Sequence, residues 1–352
     1  MNPYALLRPL LFRFDAESAH HAGIFALSLF DGAPELARLW RRRARADRPS
    51  LSVELAGLKF GNCLGLAAGL DKNAEAVRGL FGVGFGFVEV GTVTPRPQPG
   101  NEKPRLFRLP EHQAVINRMG FNNEGAAAME GRLRELDWRP GPLGVNLGKN
   151  KDTPLERAHD DYAIAAERLA PFADYLVVNL SSPNTPGLRK LQEPEALART
   201  LSAAKQHAHG KPVFLKIAPD LTDEAVDAAV DVALSEQAAG LIATNTTLAR
   251  PEFHRLNGEA GGLSGAPLLT RSNQVVARAW KRAGVRLPII GVGGVFSGAD
   301  AIAKIRAGAS LVQIYTGFIY GGPGRVSRML DEMEALVASA GAKNVLELRG
   351  SS

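Results

Sequence analysis

The sequence has a single cysteine, Cys63, so no intramolecular disulfide can form. That scarcity fits a reducing compartment. No stretch reaches the roughly 18 consecutive apolar residues that a membrane-crossing helix needs. The first residues do not read as a secretory signal either: Arg8 and Arg13 interrupt their apolar positions, and no cleavage-like end follows. Metal ligands are missing as a pattern. The seven histidines are scattered, and none is spaced with carboxylates as a ligand set. There is no nucleophile-elbow sequence, which leaves a Ser-His-Asp triad without support. Short-period repeats and low-complexity tracts are also absent.

What is present begins with charge and size. The chain has 352 residues, 45% of them hydrophobic, and can bury a large core as one large domain or two ordinary ones. Its net charge is +6, which suits nucleic acid, an anionic membrane surface, or solubility alone. The charge is not spread evenly: Arg38, Arg41, Arg42, Arg43, Arg45 and Arg48 cluster in one short segment. Before them, Tyr4, Leu7, Leu10, Leu11 and Phe14 recur at helical spacing. Asp15 can cap a second helix with Ala22, Phe25, Leu29 and Phe30 on one face. A third piece spans Glu35 to Arg45, and Asp47 to Ser50 reads as a linker. Residues 1–48 are therefore expected to be a helical unit and residues 49–352 a second one.

From about residue 53, apolar runs alternate with helical stretches. The runs are Leu64–Ala68, Phe85–Val90, Leu143–Leu147, Tyr175–Leu180, Val213–Ile217, Gly240–Ala243, Pro288–Val292 and Leu311–Ile314. The helical stretches include Asn73–Phe81, Asn122–Leu136, Pro154–Leu169, Pro194–His207, Thr222–Ser235, Arg271–Ala283 and Gly298–Ala307. Such alternation implies a parallel sheet. About eight units match an α/β fold of the (β/α)8 TIM-barrel type, with a doubly wound open sheet as the alternative. The connection between Thr92 and Asn122 breaks the rhythm, and long ordered loops are usually lids or binding loops.

In such a barrel the active site lies at the C-terminal strand ends. Those ends are unusually polar. The fourth runs into Asn179-Leu180-Ser181-Ser182-Pro183-Asn184-Thr185-Pro186-Gly187, a rigid loop dense in hydrogen-bonding groups. Asn117, Asn146, Asn179, Asn184 and Asn245 offer paired donors and acceptors, which imide rings and isoalloxazine require. Ordinary turn chemistry accounts for Asn122 and Asn123, but poorly for asparagines placed directly at apolar strand ends. Lys216 ends a buried strand and Lys72 follows Gly69; both read as fixed positive charges near a ligand. Gly291 to Gly294 suits a phosphate site after the seventh strand, or a tight turn.

At these residues the chain closely resembles the membrane-associated, quinone-dependent (class 2) dihydroorotate dehydrogenases. The matching segments are Ala67–Lys72, Gly91–Pro99, Asn117–Asn123, Asn146–Asp152, Asn179–Gly187, Lys216–Asp220, Thr244–Thr247, Gly261–Gly265, Gly291–Gly294 and Gln313–Thr316. The resemblance implies oxidation of (S)-dihydroorotate to orotate in pyrimidine synthesis, with one FMN per chain and electrons passed to ubiquinone or menaquinone. It implies FMN contacts from Ala68, Gly69, Leu70, Asp71, Lys72, Thr92, Asn146, Asn179, Lys216, Thr244, Gly265, Gly294, Tyr315 and Thr316. Substrate contacts would come from Lys72, Asn117, Arg118, Met119, Gly120, Phe121, Asn179, Asn184, Asn245 and Thr246. The implied base is Ser182, and His20, Arg108 and Tyr315 are implied near the quinone path.

The residues agree with that chemistry. Lys72 can pair with a carboxylate, and the asparagines can satisfy an imide ring. A serine hydroxyl is a weak base at neutral pH, so Ser182 needs a proton relay, with water held by Thr185 under Phe121. Soluble relatives carry cysteine at this position; here the only cysteine is Cys63, distant in sequence. Amphipathic helices with flanking arginines suit an anionic membrane interface. The expectation is thus a monomeric peripheral protein on the cytoplasmic face of a bacterial inner membrane, with no nucleic-acid partner. Two alternatives compete: an FMN barrel reducing pyrimidines in RNA, and a non-enzymatic membrane-surface barrel. The first uses a loop cysteine and an appended RNA-binding domain, and this chain has neither.

Overall fold

The apolar runs close on themselves. The computed structural model describes residues 3–250 and 258–351. Within them eight parallel strands form a closed barrel. These are Leu64–Leu66, Phe87–Val93, Leu143–Leu147, Tyr175–Asn179, Val213–Ile217, Gly240–Ala243, Ile289–Val292 and Leu311–Ile314. Each pairs with the next, and the eighth returns to the first with Val312 opposite Leu64. Closure excludes the open doubly wound sheet. Every residue of the third, fourth and fifth strands is buried. Helices outside and side chains inside leave neither face wet, so the runs read as continuously apolar. The register sets the polar strand ends on one rim: Gly91 lies opposite Asn146, Asn179 opposite Lys216, and Val292 opposite Gln313.

Helices occur in all seven expected stretches, but three start four residues late. In one, expected from Pro154, a 3-10 turn (Leu155–Arg157) precedes the helix Ala158–Leu169. Of the other two, the first is confined to Val77–Gly82. Ala74 has φ 59°, and the Asp71 carboxylate accepts from the Glu75 and Ala76 amides at 2.9 Å each, so the chain before it is a side-chain-bonded turn. The second spans Ala126–Arg134. Gly125 at φ 85° and an Asn123 side chain bonded to the Gly125 amide end the preceding loop there.

The long second connection carries structure that periodicity missed. Leu106–Leu109 and Ala114–Asn117 form an antiparallel hairpin. A third strand, Gly262–Gly265, adds to it, with Gly262 opposite Asn117 and Gly265 opposite Ala114. Four-residue strands give too few alternations to register, and the third comes from far along the chain.

At the N-terminus lie α1 (Pro3–Leu11), α2 (Ala16–Ser28) and α3 (Pro34–Arg43). Asp15 caps α2, accepting from the Ser18 amide at 2.8 Å. Tyr4 donates to the Ile319 carbonyl at 2.6 Å and Arg8 to the Tyr320 carbonyl at 3.1 Å, tying α1 to the barrel. The arginine cluster divides by role. Arg41 is buried and bonded to the Phe85 carbonyl and Asp47. Arg48, in the stretch expected to be a linker, is buried and pairs with Asp331 and Glu334 of the last long helix, Gly324–Ser339. Arg38 pairs with Glu35. Arg42, Arg43 and Arg45 remain exposed.

Candidate active site

One cavity opens at the C-terminal ends of the barrel strands, enclosing about 1000 Å³ including space open to solvent. Its floor is built on a carboxylate. Glu89, fully buried in the second strand, accepts from Asn146 Nδ2 at 2.7 Å, Gln313 Nε2 at 2.6 Å and Lys216 Nζ at 3.4 Å. A buried charge persists only when paired and hydrogen-bonded, and three other strands supply what Glu89 needs. The network continues upward. Asn146 Oδ1 accepts from Thr92 Oγ1 at 2.5 Å and Asn179 Nδ2 at 2.9 Å. Asn179 Oδ1 accepts from Ser181 Oγ at 3.1 Å and Asn245 Nδ2 at 3.3 Å.

Most of the residues expected to touch ligands line this cavity. Ala68, Gly69 and Lys72 come from the first strand end, and Thr92 from the second. Asn179 ends the fourth strand and Ser182 and Asn184 follow it, Lys216 is the penultimate residue of the fifth, and Thr244, Asn245 and Thr246 follow the sixth. Gly265, Gly294, Tyr315 and Thr316 form the opposite wall. The hairpin contributes Asn117, Met119, Gly120 and Phe121 from above. Four expected contacts lie elsewhere. Asn146 sits behind Asn179, in the network. Leu70 is in the core, Asp71 caps the turn described above, and Arg118 pairs with Glu259 and stacks on Phe107. Glu89 was missed by sequence reasoning; the signal available was a carboxylate inside an otherwise apolar run.

The walls differ in chemistry. On one side, Gly265 has φ 107° and Gly294 φ 76°. A Cβ on Gly294 would lie 2.4 Å from the backbone of Leu269, the first residue of the helix Leu269–Ala283. Backbone amides at such a helix start favour a phosphate. Thr244 Oγ1 and Gln313 Oε1 are buried and have no protein partner, which suits a polar ring edge. A flavin mononucleotide therefore fits this donor set. On the other side, Asn184 donates to Asn117 Oδ1 at 3.1 Å, and its amide donates to Ser182 Oγ at 3.3 Å. Thr185 Oγ1, buried nearby in the chain, has no protein partner.

Lys72 brings a positive charge to the cavity. Burial pushes its ammonium down to about 8, against the pull of Glu17 and with a further push from Arg105. His20 of α2 is held near 3, first by burial and then by Lys72 and His21, so it is neutral at physiological pH. Burial lifts the Tyr315 phenol to about 12. Arg108 donates to the Leu11 and Phe14 carbonyls and lies 4.7 Å over the Phe12 ring. An apolar cluster of Leu106, Val115, Met119, Phe296 and Tyr320, with Phe12 and Ala16 against it, leads from the N-terminal helices to the cavity wall.

A sequence model of the family described as dihydroorotate dehydrogenase matches residues 50–337. The chain is 59% identical to dihydroorotate dehydrogenase (quinone) of Myxococcus xanthus, across 99% of this chain and 97% of that one. This chain belongs to the quinone-dependent dihydroorotate dehydrogenases. The enzyme of the same name from Anaeromyxobacter dehalogenans is 55% identical, across 98% of this chain and 93% of the relative. Among solved structures, dihydroorotate dehydrogenase of Eimeria tenella in complex with ferulenol superposes with a TM-score of 0.83 at 43% identity, covering 90% of this chain and 94% of that one. Membership in this family decides against an enzyme of RNA pyrimidines and against a non-enzymatic barrel.

Proposed function

We infer that this chain oxidises (S)-dihydroorotate to orotate in pyrimidine synthesis and delivers the electrons to a quinone, using bound FMN. The observation that carries the reading is convergence: Ser182, Lys72 and the interlocked amides of Asn117, Asn179, Asn184 and Asn245 meet a glycine cradle in one cavity. Bound FMN would supply the redox chemistry that the side chains here lack, as acceptor of the substrate's C6 hydride and donor to a quinone. The protein does the rest. Lys72 pairs with the substrate carboxylate, the carboxamides satisfy both edges of the imide ring, and together they fix its orientation. Ser182 takes the proton from C5. The Asn184 amide pointing at Ser182 Oγ stabilises negative charge as the hydroxyl gives up its own proton, and Thr185 suits a relay to solvent. Lys216 would offer positive charge to a bound flavin, while Glu89 holds that ammonium and Asn146 in place.

Quinone access through the Phe12–Tyr320–Phe296 cluster, with His20, Arg108 and Tyr315 near it, is supported by the apolar lining that joins α1 and α2 to the cavity. Peripheral attachment to an anionic surface is supported by the exposed apolar side chains of α1 to α3 beside Arg42, Arg43 and Arg45; that the protein is a monomer on the cytoplasmic face belongs to the same proposal. Among the described residues no helix is long and apolar enough to cross a membrane.

Anaerobic mixing of the purified protein with dihydroorotate tests the first half-reaction; the flavin absorbance should bleach. Addition of a ubiquinone or menaquinone analogue should restore it. A protein without flavin, or one whose flavin dihydroorotate does not reduce, overturns the reading.

A further inference from the structure

The N-terminal helices and the substrate loops share a buried ion pair. Glu17 of α2 and Arg105, just before the hairpin, are only 4% and 6% exposed. Arg105 donates three times to the Glu17 carboxylate, at 2.7, 3.1 and 3.3 Å. Burial works to raise the Glu17 carboxyl, but the Arg105 guanidinium, together with the Lys103 ammonium 3.4 Å away, outweighs it and holds the group below its ordinary range. The other arm of Arg105 donates to the carbonyls of Pro99 and Asn101 at 2.6 and 2.7 Å. Asn101 in turn donates from Nδ2 to the Arg118 and Asn184 carbonyls at 3.0 and 3.1 Å, and its amide donates to the Met119 carbonyl at 3.0 Å. The chain of contacts thus runs from α2 through Arg105 and Asn101 to both loops that cover the cavity, the one carrying Asn117 to Phe121 and the one carrying Ser182 and Asn184.

We propose that Glu17 and Arg105 are positioning residues that couple the seating of α2 to the geometry of the dihydroorotate pocket. The proposal rests on the substrate assignment made above. Its physical basis is asymmetry. A surface ion pair contributes little, but removing one partner of a buried pair leaves the other charge uncompensated. Arg105 without Glu17 would seek solvent or another carboxylate, and its grip on the 99–101 carbonyls would loosen. Both loops would then lose their common anchor. The cost falls on substrate binding rather than on the flavin cradle, which is built from the opposite wall.

The test is a double-mutant cycle in the full-length, FMN-loaded protein. Glu17→Gln keeps the shape and one acceptor but removes the charge; Asn101→Ala cuts the relay at its far end without touching the ion pair. The readouts are orotate Kd from the perturbation of the flavin spectrum, and dihydroorotate KM against kcat. Each single change should weaken orotate binding roughly tenfold, within the usual range of coupling between sites. KM should rise with FMN content unchanged, and Glu17→Asp should recover part of the loss. Because both changes interrupt one relay, from Arg105 through Asn101 to the two loops, the double variant should lose less than the product of the two single losses. Fully multiplicative effects, or orotate affinity within twofold of the unaltered protein in Glu17→Gln, overturn the coupling alone. An unaltered protein that binds no orotate overturns both the coupling and the assigned substrate.

Discussion

Ser182 and Lys72 face one another's ligand but meet opposite chemical difficulties. A hydroxyl is too weakly basic at neutral pH, whereas an ammonium is too costly to bury. The fold answers the first with the Asn184 amide aimed at Ser182 Oγ. Replacing Ser182 by alanine removes the base while leaving the glycine cradle and the carboxamides. General-base contributions run to about 10² to 10⁴ in rate. Flavin reduction by dihydroorotate in Ser182→Ala should therefore slow by about that factor with FMN retained, as stopped-flow absorbance would read. Reduction at a near-normal rate would remove Ser182 from the mechanism. Lys72 gives a pH signature. Its folded value near 8 lies below the ordinary 10.5, so the buried charge weakens the ligand-free fold below pH 8. Stability should rise between about pH 8 and 10.5 as that cost disappears. Orotate binding has the reverse dependence, since a bound carboxylate favours the charged lysine. Affinity should hold below pH 8 and fall above it, approaching about tenfold per unit. Titration of orotate from pH 6.5 to 9.5 checks this; a flat profile would separate Lys72 from the carboxylate. At this scale the strand-end residues were legible because polar groups at the ends of apolar runs need explaining. Glu89 was not, because a residue inside a run carries no sign of which partners will converge on it from other strands.

Elements were legible where periodicity is long and local. The barrel strands and their helices appear at the expected places, since each is a continuous apolar or 3.6-residue pattern. The failures are instructive. Ala74 at φ 59° and the Asp71 carboxylate end a helix that the apolar spacing would have extended. The three-stranded sheet over the cavity depends on pairing Ala114–Asn117 with Gly262–Gly265, a contact that no local window contains. The turn at Gly294 offers a test at this level. It combines positive φ with a 2.4 Å approach to Leu269, so any side chain must displace the start of the following helix. Gly294→Ala should release FMN while the far-ultraviolet circular dichroism of the barrel persists. Flavin content equal to that of the unaltered protein would place the phosphate elsewhere.

The molecule as a whole is asymmetric in what it exposes. Apolar side chains that a barrel would normally cover stay open on the N-terminal helices: Leu6 is 71% exposed and Phe25 66%, with Leu7, Leu10, Phe14 and Leu29 beside them. The helices carrying them are nonetheless bound to the barrel through Tyr4, Arg8, Arg41, Glu17 and Arg48. That combination separates two forces. Three of the six clustered arginines are committed to protein partners, so attraction to anionic lipid falls to Arg42, Arg43 and Arg45, at roughly 1 kcal/mol each. The apolar face supplies the remainder, at roughly 25 cal/mol per Å² removed from water. Binding to vesicles containing phosphatidylserine should accordingly be weakened by salt but not abolished. Leu7→Glu with Leu10→Glu should abolish it, because both residues point away from the barrel and their loss leaves the Tyr4 and Arg8 anchors intact. Vesicle co-sedimentation measures this directly. The same variant should keep its KM for a short, water-soluble quinone and lose turnover with a long-chain quinone dissolved in the bilayer. Undiminished co-sedimentation of the doubly charged variant would show that this face is not the one that meets lipid.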